Sequence, residues 1–161
     1  MEENQMFCYQ CQETAKGTGC VLKGVCGKNS STSKYMDLLL FVTRGVSVAT
    51  DLLRNNNKVV DKGVNNFVID ALFSTITNAN FDDESILKRV RNGIVLRSRL
   101  ITQLKNSNIN VPDVYEISWS GDEATFDKTA SIVGVLREKD EDLRSLKELI
   151  VYGLKGMAAY M

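Results

Sequence analysis

Apolar residues recur at intervals of three and four in five separate segments of this 161-residue chain. That spacing places them along one face of a helix. Pro112 is the single proline, so little in the chain interrupts helical segments. No stretch alternates apolar and polar residues over the length that a half-buried strand needs. The sequence therefore predicts an all-α fold.

We place the five helices at residues 34–54, 62–78, 82–106, 121–136 and 141–161. Polar residues suited to an N-cap precede the first two helices, the Ser/Thr run at 30–33 and Asp61, and the acidic run at 82–84 opens the third. A second acidic run, at 140–142, opens the last helix in the same way. These carboxylates are therefore interpreted as caps rather than as acid-base catalysts.

The first predicted helix is apolar most of the way round, which is typical of a central helix. Within it, Gly45 indicates close contact with a neighbour. Trp119, in the Asn-rich loop 106–121, is predicted to fill a gap between packed helices. We expect residues 1–30 to form a loop and 31–161 a helical domain, in which 34–106 form a three-helix bundle and 122–161 begin a second one.

All four cysteines lie in the first 26 residues, with the spacing Cys-x2-Cys-x8-Cys-x5-Cys: Cys8, Cys11, Cys20 and Cys26. Four soft thiolates within one short, glycine-containing loop suit Zn²⁺ or an iron–sulfur cluster. Structural zinc sites tend to pair two short knuckles, and here the second pair is five residues apart. The spacing therefore favours iron–sulfur, with zinc, disulfides or free thiols as alternatives.

Other kinds of chemistry have little support in the composition. The chain has no histidine, which removes the commonest general base, and no phosphate-binding glycine motif. Twenty basic and twenty acidic residues cancel, so neither nucleic acid nor an anionic membrane is an expected partner. No targeting segment or membrane span is evident near the start, and clustered cysteines suit a reducing compartment. We expect a cytoplasmic protein.

Residue identities around the cysteines then become informative. The run Met-Phe-Cys-Tyr-Gln-Cys-Gln-Glu-Thr-Ala-Lys at 6–16, continuing to Cys20 and Cys26, resembles the amino terminus of the hybrid cluster proteins, also called prismane proteins or hydroxylamine reductases. Similar segments follow in family order at 37–39, 72–80, 119–122 and 142–149. The resemblance covers essentially the whole chain, although family members continue well beyond residue 161.

This resemblance implies a [4Fe-4S] cluster on Cys8, Cys11, Cys20 and Cys26, with [2Fe-2S] expected of the longer-spaced branch of the family. It also implies an electron-transfer role, with electrons passing from a redox donor protein toward a hybrid iron–sulfur–oxygen cluster that reduces hydroxylamine and, by some accounts, nitric oxide. The family holds that second cluster with a histidine, glutamates and cysteines. This chain has no histidine and no cysteine after Cys26, so we expect the hybrid cluster only in the remaining domains and no activity from the chain alone.

Two further expectations concern partners. The basic residues of the third predicted helix could dock an acidic electron donor, but a solvated helix face is the favoured interpretation. The last helix has an apolar stripe that needs cover, so we expect a homodimer through residues 141–161. The competing function is a non-enzymatic helical module whose four cysteines hold structural zinc; a small, self-contained redox carrier is a third possibility.

Overall fold

The computed structural model describes residues 6–14, 17–77, 79 and 81–161, and the all-α prediction is confirmed. Within these ranges the regular elements are helices, apart from one isolated antiparallel bridge between Cys8 and Cys20. The helices are α1 (Ser30–Asn55), α2 (Lys62–Ile76), α3 (Asp83–Asn106), α4 (Tyr115–Ser118), α5 (Phe126–Ala130) and α6 (Glu141–Ala159). Short 3-10 turns at Glu123–Thr125 and Val135–Arg137 flank α5.

Helix α1 is central, as predicted. It packs along α3 for much of its length and also contacts α2, α4 and α5. Its apolar residues contribute to both large core clusters, and Phe41, Val42 and Val46 are completely buried. The nearly continuous apolar surface of α1 explains this position, because each of its faces has an element to pack against.

The predicted start of α1 is wrong by four residues. The helix begins at Ser30 and its N-cap position is Asn29, so residues 30–33 form its first turn rather than its cap. Thr32 and Ser33 use their hydroxyls elsewhere: Thr32 donates to Asp83 Oδ1 at 2.5 Å, and Ser33 donates to the Phe7 carbonyl at 3.3 Å. These hydroxyls therefore join α1 to α3 and to the cysteine loop.

The predicted capping aspartates are confirmed. Asp61 accepts from the Gly63 amide, Asp82 from Glu84 and Asp140 from Leu143. Helix α2 ends at Ile76 rather than 78, and Asn78 lies outside the described residues.

Gly45 and Trp119 lie at one junction between α1, α3 and α4. A Cβ atom at Gly45 would overlap the carbonyl oxygen of Glu116 in α4, which confirms the predicted close contact. Trp119 is 7% exposed, packs between Phe41 and Phe126, and donates from Nε1 to Thr125, so its predicted role is also confirmed.

The solvated face predicted for the basic residues of the third helix, Lys88, Arg89, Arg91, Arg97 and Arg99, is wrong for one of them, Arg97. Arg97 is 2% exposed, and its guanidinium donates to the carbonyls of Glu116 at 2.8 Å and Trp119 at 2.6 Å. Those carbonyls end the short helix α4, so they have no helical partner of their own. The side chain is buried because it supplies the hydrogen bonds that this chain reversal needs.

The fourth predicted helix is not continuous. Residues 121–136 form a 3-10 turn, the five-residue α5, a bend at 131–134 and part of a second 3-10 turn, while the loop before them contains α4. Gly134 explains the break, since its Cα packs so closely on Asp37 that a Cβ would meet the Asp37 Oδ2 atom. Contact with α1 therefore overrides the helical periodicity of this segment.

Helix α6 begins at the predicted Glu141 and ends at Ala159, two residues before the predicted end. It packs against α2 and turns Lys155 and Ala158 inward, whereas its apolar stripe faces solvent. Leu146, Leu149 and Ile150 are 59%, 63% and 64% exposed.

The division into bundles at 34–106 and 122–161 stays a prediction. Across the described ranges, no helix has both the length and the apolarity that a membrane span requires.

Candidate metal centre

The cysteine loop is closed by a two-residue bridge. The Cys8 amide donates to the Cys20 carbonyl and the Cys20 amide to the Cys8 carbonyl, each at 3.0 Å. Cys8 and Cys20 are 6% and 7% exposed and form a small buried cluster with Met6. The bridge therefore brings the first and third cysteines close together.

Two glycines allow the loop to close this tightly. Gly19 has φ +122° and its Cα faces the Phe7 ring, so a larger residue would be strained and would also collide with the ring. Gly24 donates its amide to the Lys28 carbonyl at 2.9 Å, and a Cβ at Gly24 would lie 3.1 Å from the Cys26 sulfur. The second glycine thus lets the chain pass closely beside the fourth cysteine.

All four predicted ligands line one cavity of about 160 Å³, together with Glu13, Thr14, Gly24, Val25 and Lys28. The cysteines are free thiols with graded exposure: Cys8 and Cys20 are buried, Cys11 is half-buried and Cys26 is exposed. The structure therefore brings together the four residues that the sequence singled out, with one sulfur position open to solvent.

The cavity is larger than a single metal ion needs. Zn²⁺ needs four sulfurs at about 2.3 Å. In the part of the chain that the structure describes, no group of three or more cysteine or carboxylate side chains is arranged to hold one metal ion. A volume of about 160 Å³ is instead far larger than the ~10–15 Å³ that one water requires. Four thiolates around such a space fit a group of several atoms.

A buried polar network, which the sequence analysis did not predict, connects the cysteine loop to the helices. Gln10 is 3% exposed, and its Nε2 donates to Asp37 Oδ1 of α1 at 2.6 Å. Lys155 of α6 is 2% exposed and donates to the Gln10 carbonyl at 2.9 Å and to Gln10 Oε1 at 2.5 Å. Gln12 adds a longer hydrogen bond to the Glu148 carbonyl. The loop is therefore attached to both α1 and α6.

Desolvation dominates the electrostatics of this network. Asp37 keeps some solvent contact, yet dense packing around its carboxyl group raises its pKa to about 7, although the Lys155 and Arg44 charges oppose this. Burial likewise lowers the pKa of Lys155 to about 8, while Asp37 and Glu148 act in the opposite direction. Both groups therefore carry an energetic cost when charged, which the hydrogen bonds to Gln10 partly offset.

The basic residues of α3 do not form an open docking patch. Arg89 pairs with Asp70 at 2.8 Å, Arg91 pairs with Glu84 and Glu123, and Arg97 is buried. Lys88 and Arg99 are exposed. Pairing of this kind agrees with the interpretation of α3 as a solvated face.

Comparison with known proteins adds decisive information to this geometry. Residues 6–161 match the model of the Prismane/CO dehydrogenase family. The chain belongs to this family. Proteins of the Prismane/CO dehydrogenase family bind iron–sulfur clusters, in keeping with the four-thiol cavity. This confirms the family resemblance of the cysteine loop and of the helical segments.

Curated relatives of this Prismane/CO dehydrogenase chain are named hydroxylamine reductase. Those of Bacteroides fragilis and Bacteroides thetaiotaomicron are 52% and 53% identical over 156 residues, which cover 97% of this chain and 28% of each relative. The hydroxylamine reductase of Clostridium novyi is 45% identical over 158 residues, or 96% of this chain and 29% of the relative. The chain therefore spans less than a third of the length of these relatives.

Proposed function

We propose that this chain is the electron-entry region of a hydroxylamine reductase of the hybrid cluster type, and that Cys8, Cys11, Cys20 and Cys26 hold a [4Fe-4S] cluster. The observation that carries the proposal is the single cavity lined by all four sulfurs. Hydroxylamine reductase relatives at about 50% identity over nearly the whole chain support it. Cysteines clustered in one short loop suit a reducing compartment, and we propose the cytoplasm.

When bound, such a cluster supplies one-electron transfer. The chain's own residues would hold it, orient it and limit its contact with water. Cys8 and Cys20 form the dry side of the cavity, and Cys26 forms the open side. Exposed apolar residues lie in the segment between Cys20 and Cys26: Val21 at 54%, Leu22 at 88% and Val25 at 67%, of which Val25 also lines the cavity. We infer that a donor protein approaches there, because electron-transfer partners need a short path to the centre.

The decisive test is anaerobic reconstitution of the purified chain with iron and sulfide. We expect about four iron atoms and four sulfides per chain, as the [4Fe-4S] stoichiometry requires, with a broad visible absorbance. Two iron atoms would indicate [2Fe-2S]. Tight binding of one Zn²⁺ with no visible band, and no uptake of iron, would instead support the non-enzymatic zinc module.

The 161-residue chain is expected to have no hydroxylamine reductase activity, even with its cysteine site filled. The substrate centre of the family uses a histidine and further cysteines, whereas this chain has no histidine and its last cysteine is Cys26. Ammonia formation from hydroxylamine would be measured with a chemical reductant and compared with a protein-free control. Turnover above that control would contradict the assignment of the chain as an electron-entry region only.

Self-association through residues 141–161 is a further expected result. The outward stripe of α6 includes Leu149, Leu154 and Met157 at 63%, 44% and 63% exposure, and Gly153 has open space around it. A second copy could cover this stripe by close approach at the glycine. Sedimentation equilibrium should show dimers that Leu149→Glu weakens, with Leu22→Glu in the cysteine loop as control. A monomer up to about 100 μM, well above the concentrations at which a stable interface of standard size dissociates, would contradict the dimer.

A further inference from the structure

Lys155 is buried on a helix whose apolar residues face solvent. It is 2% exposed, while Leu149 and Ile150 on the same helix are 63% and 64% exposed. Lysine is almost never fully buried unless its ammonium has partners. Burial of apolar residues therefore does not explain which side of α6 faces the protein interior. The hydrogen-bond partners of the Lys155 ammonium provide the explanation.

Those partners lie in the bend between the first two cysteines. Lys155 Nζ donates both to the backbone carbonyl of Gln10, at 2.9 Å, and to its side-chain oxygen, at 2.5 Å. The Gln10 amide in turn donates to Asp37 at 2.6 Å. One ammonium thus fixes the main chain and the side chain of Gln10, one of the two residues between Cys8 and Cys11. Contacts of this kind around a metal site orient its ligands.

A second buried lysine lies in the wall of the same cavity. Lys28 is 1% exposed and lines the cavity with the four cysteines. Four thiolates carry more negative charge than the metal centre cancels, and a net anionic group in a poorly solvated site is costly without nearby positive charge. Two buried ammonium groups meet that requirement.

We propose that Lys155 is a positioning residue of the cysteine site, which fixes the bend between Cys8 and Cys11 through Gln10 and places positive charge beside a net anionic centre. Lys155 has the positional role whether or not metal is bound. The electrostatic role rests on the proposed function, because it requires a bound iron–sulfur cluster.

The positional role is tested on the metal-free chain by the rate at which Cys8 is alkylated, measured by mass spectrometry. Lys155→Met should alkylate about tenfold faster than wild type, because loss of a charge-assisted hydrogen bond increases local opening of the loop. The matched control is Lys147→Met, on the same helix, whose ammonium pairs with Glu138 at the surface. Far-UV circular dichroism checks that α1 to α6 remain folded.

The electrostatic role is tested by the midpoint potential of the reconstituted chain. Reduction adds negative charge to the centre, so Lys155→Met should lower the potential and Lys155→Arg should return it toward the wild-type value. If Lys155→Met fails to fold, Gln10→Met is the second variant: it removes the side-chain acceptor, retains Lys155, and should also accelerate alkylation of Cys8.

Alkylation of Lys155→Met and Gln10→Met at the Lys147→Met rate, with an unchanged potential in Lys155→Met, would overturn the proposal. Faster alkylation together with an unchanged potential would overturn its electrostatic part. If the wild-type chain takes up no iron, the proposed function fails, whereas the alkylation rates of the metal-free variants still decide whether Lys155 positions the loop.

Discussion

Cys20→Ser is expected to abolish iron–sulfur binding by the chain while leaving its helix content close to that of wild type. Cys20 supplies one of four sulfurs around a single cavity, and a serine hydroxyl is a harder, far less acidic ligand than a thiol. The cysteines lie in a loop before α1, and their small cluster with Met6 is separate from the two large cores. Loss of the metal should therefore not unfold the bundle.

Visible absorbance, iron content and far-UV circular dichroism measure the two effects separately. Cys11→Ser should behave like Cys20→Ser. Glu13→Gln is the matched control, because Glu13 lines the same cavity without a thiol, and it should retain the cluster. If the helix signal and the cooperativity of unfolding disappear together with the cluster, the metal is the folding centre of the domain and the loop is not separable from it.

Gly45→Ala is expected to lower the free energy of unfolding by about 2 kcal/mol, as overpacking of a tight core contact does. The new methyl group would meet the Glu116 carbonyl and, at 2.9 Å, Arg97 Cδ. The carbonyl belongs to the backbone and cannot rotate away. Relief of the overlap therefore displaces α4 or the buried guanidinium that holds it. Urea denaturation of the metal-free chain measures the change.

The matched control is Gly153→Ala in α6, where an added Cβ has nothing within 4 Å. Alanine is the better helix former, so this change should raise the free energy of unfolding by roughly 0.5–1 kcal/mol. Opposite signs for the same chemical change would show that packing at α4, and not helix propensity, decides the result at Gly45. Equal stabilisation of both variants would mean that α4 can move away from the new methyl group without lowering the free energy of unfolding.

Local rules predicted the long helices well because each carries its own signal. Asp61 and Asp82 cap where expected, and the apolar surface of α1 identified it as the central helix. The same rules failed where a distant contact decides the backbone. The segment around Gly134 has helical periodicity but bends against Asp37. Arg97 has the sequence context of a surface residue, but it is buried because it donates hydrogen bonds to the carbonyls of α4.

The candidate metal centre was likewise only partly predictable from the sequence. The four cysteines were recognisable because their spacing is local and their chemistry is specific. The supporting network was not, since Gln10, Asp37 and Lys155 are polar residues separated by 27 and 145 positions. No periodic pattern marks such a group. The available hint was a lysine directly after Leu154 in the last predicted helix, and a single lysine at that place is ordinarily solvated.

The attachment of Lys155 to Gln10 also has a consequence for biosynthesis. At about 5–20 residues per second, the ribosome completes residue 155 on the order of ten seconds after residue 10. From the synthesis of Cys26 until that of Lys155, the nascent chain contains all four thiols but has no complete α6 to hold the bend between the first two. Oxidants and free metal ions can reach the thiols during this time. Faithful insertion of a cluster is then favoured after α6 has been synthesised, so a delivery system that waits for the finished domain would load it more accurately than one acting on the emerging loop.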